Sequence, residues 1–238
     1  MAAKTQNFTL SRRLGHPRER HRGRPVTPKD AATLIVLRHS NVGPEILMGQ
    51  RSSRAKFVPG SYVFPGGRLD SHDWDALPGS PLAAPAEKMG IRRNDAKARA
   101  LGMAAIRETY EETGLLIAVD GDIGNADDQT WRDLRRLGKA PDLARLTYIA
   151  RAITSPYSPI RFHARFFMAT YRLEDGDLGG SGELSDLQWI PLDRANDYTI
   201  LDVTEFMLGE VRRRLKEPST TSTPLFAYRL DRPFVRYD

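Results

Sequence analysis

Arg107-Glu108-Thr109-Tyr110-Glu111-Glu112-Thr113-Gly114 is the stretch on which the reading of this chain turns. Glu108, Glu111 and Glu112 stand at i, i+3 and i+4, so a helix projects all three carboxylates from one face within a single turn. Like charges at that spacing repel and weaken a helix. A plainly solvated helix face is the competing reading of such a triplet. Hard oxygen donors in a cluster suit Mg²⁺ or Mn²⁺, which bind carboxylates together with substrate phosphates. Arg107 lies four residues before Glu111 and can pair with it. Gly114 follows as a residue that tolerates the left-handed geometry of a helix end. Upstream, Phe64-Pro65-Gly66-Gly67 makes a turn at which backbone can approach a ligand closely.

Working outward, residues 95–113 read as one helix with Asn94 or Asp95 as N-cap and Leu101, Ala104, Ala105 and Ile106 on its apolar side. Residues 31–38 and 45–51 read as a strand hairpin across Asn41-Val42-Gly43-Pro44, and 61–64 as a short strand entering the glycine turn. Residues 70–90, with Pro78, Gly79, Pro81 and Pro85, read as an irregular excursion. Residues 126–139 read as a second helix, packing through Trp131, Leu134 and Leu137. Strands are expected at 147–153, 162–171 and 187–190, then a closing amphipathic helix at 204–216. This mixture of elements points to an α+β class with a mixed β-sheet in an α/β/α sandwich.

Residues 107–115 resemble the second half of the Nudix box, G-x5-E-x7-R-E-U-x-E-E-x-G-U with U apolar, and Gly67 resembles its opening glycine. Thr109 departs from the pattern at an apolar position. Forty residues separate Gly67 from Arg107 where the pattern has fourteen, so twenty-six are inserted. The intermediate acid of the pattern is therefore left open. Counting forward from Gly67 gives Asp73, and counting back from Arg107 gives Arg99. The resemblance implies a Nudix fold and a hydrolase of nucleoside diphosphates linked to another group. It implies Glu108 and Glu112 as metal ligands, Glu111 as a ligand directly or through water, the carbonyl of Gly67 as a further ligand, and Arg107 as the residue that orients Glu111. It also implies a carboxylate on a later loop as base or ligand, and Glu183 stands in the matching place. The cofactor is Mg²⁺ or Mn²⁺.

Leu47 through Ser53 and Lys56 through Asp70 are similar to the segment before the box in coenzyme A diphosphatases, most of all the peroxisomal branch, which also has an enlarged box. Ile153-Thr154 and Arg161-Phe162-His163-Ala164-Arg165-Phe166-Phe167 are similar to a downstream stretch of that branch, with His163 where an acid is expected. Arg51, Arg54 and Lys56 are the candidate binders of a diphosphate or 3′-phosphate. Solvated loop charges are their other reading. Tyr62 and Phe57 are candidates to stack on adenine, and alternating strand aromatics in a core are theirs. The substrate expected is coenzyme A or an acyl-coenzyme A. An ADP-sugar, dinucleoside polyphosphate or capped-RNA hydrolase is the alternative within enzymes. A nucleotide-binding Nudix-fold sensor is the alternative outside them.

The absence of cysteine excludes disulfides, thiolate metal sites and cysteine nucleophiles, and fits a reducing, cytoplasmic setting. No run approaches the length of a membrane span, and no membrane partner is expected. The net charge of +6 falls entirely in residues 1–30, where eight Lys/Arg meet Glu19 and Asp30. Residues 1–30 are accordingly expected to be a flexible basic tail, with no nucleic-acid partner. Residues 31–216 are expected to be the hydrolase domain, with insertions at about 70–94 and 122–142, and 217–238 a C-terminal extension. The expected partner is a nucleotide-type small molecule, with a homodimer left open.

Overall fold

The computed structural model describes residues 4–7, 23–52, 58–84, 86–229 and 232–237. In chain order the elements are β1 (Lys4–Asn7), β2 (Lys29–Ser40), β3 (Gly43–Arg51), β4 (Tyr62–Val63), β5 (Gly66–Arg68), α1 (His72–Asp75), α2 (Asp95–Thr113), β6 (Ala118–Asp120), α3 (Gln129–Leu137), β7 (Lys139–Pro141), β8 (Thr147–Ile153), β9 (Phe162–Thr170), β10 (Leu184–Pro191), α4 (Asp202–Lys216), β11 (Leu225–Arg229) and β12 (Arg232–Tyr237). A mixed sheet runs β1-β12-β11-β8-β9-β2-β3-β10, with β4 on β3 and β5 on β2. The β2–β9 and β11–β8 pairs are parallel and the rest antiparallel.

Strand alternation sends side chains to two cores, one on each face of the sheet. Leu34, Val36 and Phe167 join the core under α2, whereas Ile35, Leu37 and Phe166 join the core under α4. The expected α/β/α sandwich is therefore present. In α2 the Asn94 side chain accepts from the Lys97 amide at 2.9 Å, and Gly114 closes the helix at φ 78°.

Both insertions fold onto α2. Met89 and Ile91 come from the first, and Trp131, Leu134 and Leu143 from the second or just beyond it. They complete the core around Leu101, Met103 and Ala105. This is why α2 is buried on more sides than the expected apolar stripe. Full burial of side chains such as Trp131 and Leu134 contributes about 1.5–3 kcal/mol each. Leu137, read as part of the same packing face, is instead exposed at the helix end. The excursion at 70–90 contains α1 and a 3₁₀ turn at Ala86–Met89.

Two described stretches near the chain ends join the sheet. β11 pairs with β8, and β12 pairs antiparallel with β11. Lys4–Asn7 of the basic tail pairs with β12, and residues 8–22 lie outside the described residues. Among the described residues no helix is long and apolar enough to cross a membrane.

Candidate active site

The glycine turn and the acidic face of α2 meet directly. Gly66 donates its N–H to Glu112 Oε2 at 2.8 Å. A β-carbon on Gly67 would overlap the Glu108 carboxylate, and one on Gly66 would overlap the backbone of Ala32 and Thr33. Only glycine lets β5 pass between β2 and these glutamates.

Arg107 is buried under the carboxylates and makes five polar contacts. Its Nε and Nη2 donate to Asp73 at 2.8 and 3.1 Å, and Nη2 also donates to the Arg68 carbonyl at 3.0 Å. Its Nη1 reaches Glu108 Oε1 at 2.9 Å and Glu111 Oε2 at 3.1 Å. Arg107 therefore orients Glu108 as well as Glu111. Asp73, one of the two residues considered for the intermediate acid, is wholly buried on Arg107 as its bidentate partner and is absent from the pocket wall. Arg99, the other, donates to the Trp74 carbonyl at 2.7 Å. The first insertion thus holds the box helix from both positions.

Burial pushes Glu108 up to about 7, with Glu111 adding to the shift and Arg107 opposing it. Burial likewise pushes Glu112 up to about 8; the Gly66 amide opposes this, and the charges of Glu108 and Glu183 reinforce it. Two buried carboxylates with raised proton affinity favour a neighbouring cation. Among the described residues no three acidic side chains form a cage by themselves. Mg²⁺ ordinarily retains waters and takes substrate phosphate oxygens in addition to one or two carboxylates. Glu108 and Glu112, with Glu111 beside them, fit such an ion.

Glu183 arrives on a glycine-rich loop docked against the end of α2. Gly179 and Ser181 donate their amides to the carbonyls of Thr113 and Glu111 at 2.8 and 2.7 Å. The exposed Glu183 side chain lines the same pocket as Glu108, Glu111 and Glu112.

That pocket has a volume of about 560 Å³. Arg51 lines it, with a buried Nε that has no hydrogen-bond partner among the described residues. Beyond Glu108, Glu111, Glu112 and Glu183 the wall is more apolar, with Ile153, Ile160, Phe162, Leu201, Val203, Phe226 and Tyr228, and it also carries Thr154, Ser155, Ser158 and Asp202. Tyr228 donates its hydroxyl to Asp202 at the start of α4.

Tyr62 is the sequence candidate that lies elsewhere. It packs edge-on against Tyr198 in the α4-side core at 4.7 Å and donates its hydroxyl to Asp186, so its ring is not on the pocket wall. The reason is strand alternation: β4 turns Tyr62 inward. Arg54, Lys56 and Phe57 lie outside the described residues. Sequence reasoning missed Leu201, Val203, Phe226 and Tyr228. The one available signal was the alternation of Phe226 and Tyr228 in an apolar terminal run.

No family model matches the chain. A solved Nudix hydrolase from Alicyclobacillus acidocaldarius is 30% identical, with a TM-score of 0.61 over 77% of this chain and 90% of that one. The acyl-coenzyme A diphosphatase NUDT19 of Gallus gallus is 35% identical over an alignment of 107 residues that covers 34% of this chain. That of Xenopus laevis is 27% identical over an alignment of 161 residues that covers 47% of this chain. These matches span only 28% and 42% of the two curated relatives.

Proposed function

We propose, from the premise that this chain belongs to the Nudix hydrolase family, that it splits the diphosphate bond of coenzyme A or an acyl-coenzyme A. The products are 3′,5′-ADP and 4′-phosphopantetheine or its acyl form. The observation that carries this reading is the continuity of one pocket from Glu108, Glu111, Glu112 and Glu183 to a largely apolar lobe. A substrate that fills both ends joins a diphosphate to an extended apolar arm. The partial likeness to two acyl-coenzyme A diphosphatases supports the same reading.

Glu108 and Glu112, with Glu111 and the Gly67 carbonyl, are assigned to hold the cation. Mg²⁺ or Mn²⁺ bound there would neutralise diphosphate charge and acidify water. Arg107 keeps Glu108 and Glu111 in place from below. Arg51 offers its guanidinium to a phosphate of the substrate. Glu183 is assigned to take the proton from water as the water oxygen bonds to one phosphorus. The bond from that phosphorus to the bridging oxygen breaks, and the second phosphate leaves with that oxygen. The lobe of Phe162, Val203 and Phe226 holds the arm and keeps water away from it.

The test is a substrate panel of coenzyme A, a medium-chain acyl-coenzyme A, dephospho-coenzyme A, ADP-ribose and a diadenosine polyphosphate, with products identified by mass. Activity is expected to vanish with EDTA and return with Mg²⁺ or Mn²⁺. The coenzyme A species are expected to lead, and loss of the 3′-phosphate is expected to cost about ten- to hundredfold in kcat/KM. Equal rates on coenzyme A and ADP-ribose would move the assignment to nucleotide sugars.

A further inference from the structure

We propose that Thr130, carried by the second inserted segment, is the positioning residue that fixes Glu111. Glu111 is a third negative charge on a helix face that already carries Glu108 and Glu112, and repulsion favours its swinging away. The box supplies one restraint, Arg107 Nη1 at 3.1 Å from Oε2. The other restraint comes from outside the box: Thr130 Oγ1 donates to Glu111 Oε1 at 2.6 Å. Each oxygen of Glu111 thus accepts one hydrogen bond from the protein and keeps a lone pair for the pocket that Glu111 lines.

The rest of the inserted segment holds Thr130 in place for this contact. Asp128 caps α3 by accepting the Thr130 amide at 2.9 Å. Trp131, the next residue, is wholly buried, and so is Leu134 one turn on. Thr130 itself is buried, and β-branching limits its χ1. The hydroxyl is therefore presented to Glu111 with little ordering left to do. The inserted segment, on this view, completes the carboxylate cluster as well as covering α2. The inference rests on the cation-binding reading of Glu108, Glu111 and Glu112, and is independent of which diphosphate is split.

The experiment compares Thr130→Val, Thr130→Ser, Glu111→Ala and the Thr130→Val/Glu111→Ala double variant in the full chain. Three quantities are measured: Mn²⁺ affinity of metal-stripped protein by calorimetry, kcat and KM, and the unfolding temperature. Thr130→Val is expected to unfold within about 4 °C of the wild type. It should bind Mn²⁺ about threefold or more weakly and lose about tenfold in kcat, the scale of one hydrogen bond to a charged group, with KM little changed. Thr130→Ser should restore both, and Thr130→Val should have no further effect once Glu111 is alanine. Wild-type Mn²⁺ affinity and kcat in Thr130→Val would overturn the proposal, as would an undiminished loss in the Glu111→Ala background, which would assign the effect to helix packing. Absence of Mn²⁺ uptake by the wild type would break the cation reading and this proposal with it. Uptake unchanged by Thr130→Val breaks this proposal alone.

Discussion

The carboxylate end of the pocket draws on two short stretches, Gly66–Arg68 and residues 107–112, with Glu183 added from a loop. Its apolar end draws on three stretches far apart in sequence, 153–162, 201–203 and 226–228. At the first end, spacing within one helical turn sets the geometry, and the buried Asp73–Arg107 pair fixes it from below. At the second end, sheet pairing sets the geometry: β11 brings Phe226 and Tyr228 beside β8 only because residues 225 and 226 register against 151 and 152. On the proposed function, the local motif breaks the bond and the assembled lobe chooses the substrate.

The sharpest way to break that division is at Glu112. Glu112→Gln removes a charge without changing shape, and kcat is expected to fall about a hundredfold or more with the fold intact. Steady-state rates alongside circular dichroism check this; full turnover would show that the chemistry lies elsewhere. The support beneath is probed by Asp73→Asn, which leaves the buried Arg107 without its bidentate carboxylate. Removing one partner of a buried ion pair costs about 3–5 kcal/mol. For a chain of this size that lowers the unfolding temperature by about 10 °C, as calorimetry would record. A shift within error would mean that Glu108 and Glu111 alone satisfy Arg107.

A pH-dependent effect is expected at a residue that lines neither end. His163 has a buried Nε2 with no hydrogen-bond partner among the described residues. Burial pushes it down to about 3, and the charges of Arg165 and Arg151 add to the shift. The folded chain then holds His163 neutral while the unfolded chain takes up a proton below about 6.5. Stability contributed by the neutral form is present above pH 6.5 and is lost as pH falls toward 3, by at most about 1.4 kcal/mol per pH unit. Denaturant melts of wild type and His163→Gln across that window should converge as pH falls. Parallel curves would contradict the burial of a neutral histidine.

The same contrast explains what could be read in advance. The range of α2, its Asn94 cap and its Gly114 stop follow from local chemistry, and all three are where the sequence puts them. Glu108, Glu111 and Glu112 share a pocket for the same reason. Asp73 was visible only as an acid at one counted spacing. Its role as the anchor of Arg107 depends on how the insertion folds back, which spacing does not encode. Tyr62 was read either as a ring stacking on adenine or as a core aromatic of an alternating strand, and β4 turns it into the core. The apolar lobe was illegible because each contributing run is an ordinary strand or helix start. What makes it a pocket is a parallel pairing between segments more than seventy residues apart. The terminal hairpin follows a Ser/Thr-rich stretch that marks a linker in composition, although the chain beyond it re-enters the sheet.

The division of labour is tested most directly at Val203, which lines the lobe at the start of α4. The measurement is the ratio of kcat/KM for a medium-chain acyl-coenzyme A to that for coenzyme A, in wild type and in Val203→Trp. The indole should fill the lobe and lower that ratio about tenfold, the scale set by losing one or two buried methylenes, while kcat on coenzyme A stays within about twofold. An unchanged ratio, with both substrates still cleaved, would contradict the assignment of the lobe to the arm of the substrate.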